Sequence, residues 1–175
     1  MKSVRESTFE TNSSSTHSLT LVQKCGKNNY TLSENGYLEA GFDDYYSECS
    51  YEVYSTVEEK LRFLLTLLAS FYYEMKLKEN YNKTGKWYRV EYTTQKELKS
   101  MDEFKEIQKL VKKNIPDCKG LRFRKNSFNE KGEVTGGIDS HHHHECSNLK
   151  SYLKKNGITL EQFLFSPHIV IQMNV

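Results

Sequence analysis

A long stripe of apolar side chains in the middle of the chain constrains the fold more than any other feature. Between residues 57 and 75, apolar side chains recur every three or four positions, the spacing of one face of an α-helix. Just before the stripe, Ser55 with Glu58 and Thr56 with Glu59 have capping-box spacing. The sequence therefore predicts a core helix that begins near residue 55. Its apolar stripe consists of Val57, Leu61, Leu64, Leu65, Leu68, Tyr72 and Met75.

Two further helices have recognisable ends. One begins at Ser100, where Glu103 has capping-box spacing, and Pro116 prevents its continuation. Another covers about 148–156 and stops at Gly157, a composition typical of a Schellman cap. The first of these helices carries apolar residues that are predicted to face inward: Phe104, Ile107, Leu110 and Val111.

A short fourth helix and several strands complete the predicted elements. Thr159 with Gln162 opens the short helix, which closes before Pro167. Residues 37–54 lack periodicity and are interpreted as an irregular, tyrosine-rich segment. Strand-like composition or alternation occurs at 4–9, 19–24, 30–32, 87–92, 120–124 and 168–173.

The order of these elements predicts the fold class. Helices and strands are mixed and do not alternate strictly, which favours an α+β fold with a mostly antiparallel sheet and three to four helices. A chain of 175 residues fits one domain, so we expect a single domain over 1–175.

Composition limits the classes of partner. The chain has 25 basic and 23 acidic residues, for a net charge of +2, which argues against direct nucleic-acid binding through a strongly basic body. The start of the sequence is polar, and the longest apolar run, at 63–71, is too short to cross a bilayer. We therefore expect a cytoplasmic protein without a membrane partner.

The segment His141-His142-His143-His144-Glu145-Cys146 concentrates possible metal ligands in six residues. Side chains alternate in an extended segment, so His142, His144 and Cys146 would share one face. Imidazole with thiolate suits zinc better than magnesium or calcium. Cys25, followed by a glycine that lets the backbone approach the sulfur, is the favoured distant ligand. The sequence predicts a structural zinc site, with a solvated histidine loop as the alternative.

A hydroxyl-rich segment, Ser13-Ser14-Ser15-Thr16-His17, is a second candidate site. Its hydroxyls and backbone N–H groups can hold a phosphate, and His17 can act as a base or metal ligand. The alternative is that Ser and Thr side chains bond the local backbone and shape a turn. No glycine-rich helix start is present, so the segment is not a P-loop.

Three short motifs carry a family resemblance. Residues 5–18, RESTFETNSSSTHS, resemble the N-terminal motif of small uncharacterised proteins from Firmicutes, their phages and other mobile elements. Residues 137–141 and 164–167 resemble two further motifs of that group, although Gly137 replaces an aromatic residue and Ser140 is inserted before the histidine. In size and composition the chain is also similar to zinc-containing type II anti-CRISPR inhibitors. The resemblance implies a mobile-element context and no established activity.

Two main hypotheses about function follow. The first is a zinc-stabilised, non-enzymatic phage protein that binds and inhibits a host defence nuclease, with Cas9 as the proposed partner. Tyrosines suit interface anchors, and the predicted ones are Tyr45, Tyr46, Tyr51 and Tyr54. No residue is assigned a catalytic role in this hypothesis.

The second hypothesis is a metal-dependent hydrolase or nuclease. In it, His17 and the histidine tract would hold zinc with an open position for water, and Glu145 would act as the base. A sequence-specific DNA-binding regulator is disfavoured, since the sequence contains no evident helix-turn-helix with a basic recognition helix.

Overall fold

The computed structural model describes residues 8–10, 16–21, 30–43, 52–88, 90–135, 153–154 and 157–174. These residues contain six strands, four α-helices and a short 3₁₀ turn at Lys125–Ser127. The strands are β1 (Thr8–Glu10), β2 (Thr16–Leu21), β3 (Leu38–Ala40), β4 (Glu52–Tyr54), β5 (Leu121–Phe123) and β6 (Ile169–Asn174). The helices are α1 (Val57–Thr84), α2 (Gln95–Ser100), α3 (Asp102–Asn114) and α4 (Leu160–Phe165).

The start of α1 confirms the predicted capping box. The Thr56 hydroxyl accepts a hydrogen bond from the Glu59 N–H at 3.2 Å, and the Glu59 carboxylate accepts from the Thr56 N–H at 2.9 Å. Together these bonds satisfy backbone donors that the first helical turn leaves without partners. The helix ends at Gly85, whose φ of 68° is left-handed and whose N–H donates to the Tyr81 carbonyl at 2.7 Å.

Only the first half of α1 is part of the core. Its buried residues all lie between Val57 and Ser70. The predicted stripe is therefore wrong at its far end, because Tyr72 is half-buried and the Met75 side chain is 42% exposed. The buried half packs in one cluster with residues of the other elements, including Leu38, Phe104, Ile107, Val111, Phe163, Leu164 and Ile169.

The strands form two sheets. In the first, the order is β1-β2-β6-β4 and every neighbouring pair is antiparallel. In the second, β3 and β5 pair in parallel, with Leu38 opposite Leu121 and Glu39 opposite Arg122. Leu38 and Leu121 are buried in the core cluster, so the parallel pair contributes to it directly.

The predicted fold class, an α+β domain on a mostly antiparallel sheet, is wrong. Helices dominate, with 28 residues in α1 alone, and the second sheet is a separate parallel pair. The physical reason is long-range: parallel strands need a long crossover, and the connection from β3 to β5 contains α1, α2 and α3. The prediction of one domain over 1–175 stays a prediction. No helix in the described part of the chain is long and apolar enough to cross a membrane.

The region between α1 and α3 also differs from expectation. The described residues of the predicted strand at 87–92 are not in a strand. Thr94 forms a capping box with Glu97 that begins α2, and Ser100 is the last residue of that helix and not the cap of the next. The predicted end of α3 is confirmed, since the helix stops at Asn114 before Pro116.

The Schellman cap at Gly157 is confirmed. Its φ is 66°, its N–H donates to the Lys154 carbonyl at 3.2 Å, and the Ile158 N–H donates to the Leu153 carbonyl at 2.8 Å. Of the helix predicted at 148–156, only Leu153 and Lys154 are described, and both are helical. The capping box of Thr159 and Gln162 at the start of α4 is confirmed as well.

Candidate functional site

The predicted zinc ligands His142, His144, Cys146 and Cys25 all lie outside the described residues. The zinc site therefore stays a prediction. Within the described ranges, no three His, Cys, Asp or Glu side chains are grouped closely enough to hold a metal ion. The described cysteine Cys118 is half-buried, and its Sγ donates to the Gly120 carbonyl at 3.4 Å.

His17 lies in β2, near one end of the antiparallel sheet. In register it is opposite Phe9 of β1 and Met173 of β6. The serines of the hydroxyl-rich segment, at 13–15, lie outside the described residues. Glu145 and the histidine tract lie outside them too. Of the residues that the hydrolase hypothesis requires, the structure therefore describes only the backbone of His17.

The predicted tyrosine anchors divide into two groups. Tyr45, Tyr46 and Tyr51 lie outside the described residues, whereas Tyr54, at the end of β4, is only 1% exposed. The Tyr54 ring lies 5.1 Å from the ring of Phe63, measured between centroids. Tyr54 is therefore a core residue in this structure, contrary to the prediction that it is an exposed anchor.

A buried polar network explains why Tyr54 points inward. Its hydroxyl donates to Asp43 Oδ2 at 2.9 Å, and Arg62 Nε lies 2.5 Å from Asp43 Oδ1. The Asp43 N–H donates to the Thr66 hydroxyl at 2.8 Å. A buried carboxylate needs partners of this kind, so the network ties the segment after β3 to α1 and β4.

Exposed aromatic side chains are concentrated where α1 ends. Tyr81, Trp87 and Tyr88, which we call the aromatic patch, are 39%, 64% and 53% exposed. The Tyr81 and Trp87 rings stack, with centroids 4.5 Å apart and an interplanar angle of 19°. Trp87 is the single tryptophan of the chain, and tryptophan is usually well buried in folded proteins.

The local sequence explains how the patch forms. The left-handed Gly85 ends α1, and the Thr84 hydroxyl accepts from the Lys86 N–H at 3.3 Å. This turn places Trp87 against Tyr81 of the last helical turn. A Cβ at Gly85 would meet nothing within 4 Å, so the backbone angle alone requires glycine there.

The aromatic patch was missed by the sequence interpretation. The sequence at 87–92 predicts a strand that would include Trp87 and Tyr88, because aromatic residues with alternating neighbours are typical of strands. The sequence indicates a turn at Asn82-Lys83-Thr84-Gly85, directly before Lys86 and the two aromatic residues, and in the structure α1 continues to Thr84 and ends at Gly85. A helix cap followed at once by adjacent aromatic residues was the available indication of an exposed pair.

Comparisons with models of known protein families, with curated proteins and with solved structures found no match.

Proposed function

We propose that this is a non-enzymatic binding protein that acts on a protein partner in a stoichiometric complex, with the aromatic patch as its main contact. The observation that carries the proposal is Trp87, which is 64% exposed and held in a stack with Tyr81. Tryptophan and tyrosine are the residues most enriched at energetically important interface positions.

The stack makes the patch suitable for binding. Trp87 is already held against Tyr81 before any partner arrives, so ordering its side chain on binding costs little entropy. Lys83 and Lys86 lie in the same segment, and residues 81–88 contain no acidic side chain. The complementary surface on the partner is therefore apolar with an acidic rim.

The family resemblance supports a choice of partner. Proteins of phages and mobile elements meet host defence systems, and we propose a host defence nuclease, with Cas9 as the first candidate, in the host cytoplasm. In this proposal zinc bound by His142, His144, Cys146 and Cys25 stabilises the fold and takes no part in chemistry.

Titration against purified Cas9 with its guide tests the proposal. We expect inhibition of DNA cleavage that saturates near an equimolar ratio, because each inhibitor occupies one nuclease. Inhibition at trace ratios with cleaved DNA, guide or protein would instead support the alternative, a metal-dependent hydrolase. Failure to form any complex would show that Cas9 is not the partner.

Substitution of Trp87 tests the surface. We expect Trp87→Ala to weaken the complex by about 30-fold, corresponding to the roughly 2 kcal/mol that defines an interface hot spot. Met75→Ala is the matched control, since Met75 lies on α1, is 42% exposed and is not part of the aromatic patch. Equal affinities of the two variants, measured by calorimetry, would exclude the aromatic patch as the main contact.

A further inference from the structure

A basic pocket lies between α2, α3 and β5, and no residue of the aromatic patch lines it. It is an open cavity of about 540 Å³, and we name it by its cationic side chains Lys99, Lys112, Lys119 and Arg122. Tyr37 and two glutamines, Gln95 and Gln108, also line it. Among the described residues that line this cavity, none is acidic.

Four separate elements bring the cationic residues together. Lys99 is in the last turn of α2, Lys112 is in the last turn of α3, Lys119 lies in the following loop and Arg122 lies in β5. Sequence proximity alone cannot produce this grouping, because α2 must pack beside α3 and α3 beside β5.

The wall between α3 and β5 is firmly held. The Gln108 side chain accepts from the Leu121 N–H at 2.9 Å and donates to the Leu121 carbonyl at 2.8 Å. Gly120 has a φ of 138°, and a Cβ there would lie 3.0 Å from both Gln108 Oε1 and Lys112 Cε. Glycine therefore permits the close approach that sets Lys112 beside β5.

The described residues provide no carboxylate that pairs with the cations of the pocket. Within the described part of the chain, no ion pair joins any of the four cationic side chains to an acidic one. Arg122 is the cross-strand neighbour of Glu39, but its guanidinium carbon lies 3.3 Å from the centroid of the Tyr37 ring. Because the whole chain carries only +2, four cations around one cavity are a local concentration of positive charge.

A second cavity provides a useful contrast. It lies at the start of α1, has a volume of about 310 Å³ and contains Arg62 and Arg124. There, Arg62 pairs with Asp43, and Arg124 Nη2 lies 3.7 Å from Glu58 Oε2. Both arginines of that cavity are thus paired with carboxylates, whereas no described carboxylate forms an ion pair with the cations of the basic pocket.

We infer that the basic pocket binds a small ligand with two or three linked phosphate groups, such as the triphosphate of a nucleotide. Lysine ammonium groups bind phosphate as point charges, and arginine binds it through paired N–H donors. A cavity of about 540 Å³ lies within the range of small-molecule sites. Several cations spread around one cavity match a chain of phosphates better than a single monoanion.

Calorimetry with the full chain tests this inference, with inorganic phosphate, sodium tripolyphosphate, ATP and a short DNA duplex as probes. We expect tripolyphosphate and ATP to bind with one site per chain, and much more tightly than phosphate. Tighter binding of ATP than of tripolyphosphate would assign the ligand to nucleotides, and equal affinities would assign it to oligophosphates without a nucleoside. Affinity should fall as salt rises, since the attraction is between charges.

Two substitutions and a control locate the site. We expect Lys112→Gln and Arg122→Gln each to weaken tripolyphosphate binding by about tenfold or more, the equivalent of one charged hydrogen bond. Lys109→Gln removes the same charge from an exposed position of α3 that does not line the pocket, and it should change affinity less than twofold.

Three outcomes would overturn the inference. They are the absence of tripolyphosphate binding at millimolar concentration, an equal loss in Lys109→Gln, and tighter binding of the DNA duplex with the same dependence on Lys112 and Arg122. The last would replace a small ligand with nucleic acid. None of these results depends on whether the aromatic patch binds Cas9, so either proposal can be contradicted without contradicting the other.

Discussion

At the scale of single residues, the sequence predicts local hydrogen bonding well and burial less well. The capping residues Thr56, Glu59 and Thr159 and the helix-ending Gly157 all have the predicted roles. Each of these roles depends on neighbours within a few positions, which spacing can indicate. Spacing alone is not sufficient, because Ser100 and Glu103 have the same spacing and Ser100 ends α2 instead of capping α3. Tyr54 is different, because its burial depends on Asp43 and Phe63, which it meets only in the folded chain.

Glu59 gives a prediction for stability and its pH dependence. Partial burial by itself raises the pKa of Glu59, but hydrogen bonds from Thr56 and Ser55 outweigh it and leave the pKa below 4.5, the ordinary value. A lowered pKa means that the ionised carboxylate stabilises the fold above the pKa of the unfolded chain. That contribution is lost as the pH falls through the pKa of the folded state.

We therefore expect Glu59→Gln to lower the free energy of unfolding at neutral pH by about 0.5 kcal/mol, because glutamine keeps the capping box, as Gln162 does in α4, but loses the negative charge that favours a helix N-terminus. The difference from the parent protein should shrink as the pH falls below about 4.5. Urea unfolding at neutral and acidic pH measures both effects. The control is Glu79→Gln, an exposed position of the same helix, and an equal effect of both substitutions would contradict a specific role for the Glu59 charge.

At the scale of elements, helices with strong ends are predictable and pairings between distant segments are not. The start of α1 and the end of α3 lie where the sequence indicates. The three-residue strand β3, in contrast, lies in a segment interpreted as irregular, because three residues are too few to show a period. Its parallel partner β5 follows three helices later, and nothing local specifies that pairing.

The close packing of β5 against α3 gives a prediction at this scale. We expect Gly120→Ala to lower the free energy of unfolding by more than about 2 kcal/mol, because it adds crowding to an unfavourable backbone angle. Gly132→Ala is the matched control: its φ is 75°, but a Cβ there meets nothing within 4 Å. It should cost only about 1–2 kcal/mol, the strain of a left-handed residue.

Chemical denaturation of both glycine variants measures the comparison. A larger loss in Gly120→Ala would support the tight contact with Gln108 and Lys112. The same loss at both positions would show that Gln108 and Lys112 move away from the added methyl group at little cost. The packing of α3 against β5 would then be less rigid than the two hydrogen bonds between Gln108 and Leu121 indicate.

At the scale of the whole molecule, the candidate sites show what sequence can and cannot identify. The residues of the aromatic patch lie within one short segment, so the sequence shows that they are close together. Their exposure to solvent can be seen only in the structure. The basic pocket gathers residues from α2, α3, β5 and a loop, and no spacing rule connects them. The histidine tract is the opposite of the basic pocket. Its possible metal ligands are evident in the sequence, but the residues themselves lie outside those that the structure describes.

The zinc site gives the prediction that concerns the whole fold. If zinc is bound by His142, His144, Cys146 and Cys25, it joins segments far apart in the sequence, and its binding free energy contributes directly to folding. Metal analysis of protein purified without chelators should find about one zinc per chain. Acid should release it, because thiolate and neutral imidazole must be deprotonated to bind.

Replacement of a single ligand separates a structural metal from a solvated histidine loop. We expect Cys146→Ala to lower the melting temperature by about 10 °C or more and to reduce the zinc content, since loss of one ligand leaves the tetrahedron open. Cys118→Ala is the control, because Cys118 is a half-buried thiol that contacts the Gly120 carbonyl, and Cys25 is the favoured distant ligand. It should keep its zinc and lose only the small stability of a packed thiol. Unchanged zinc content and melting in Cys146→Ala would exclude that cysteine as a ligand and favour the solvated loop.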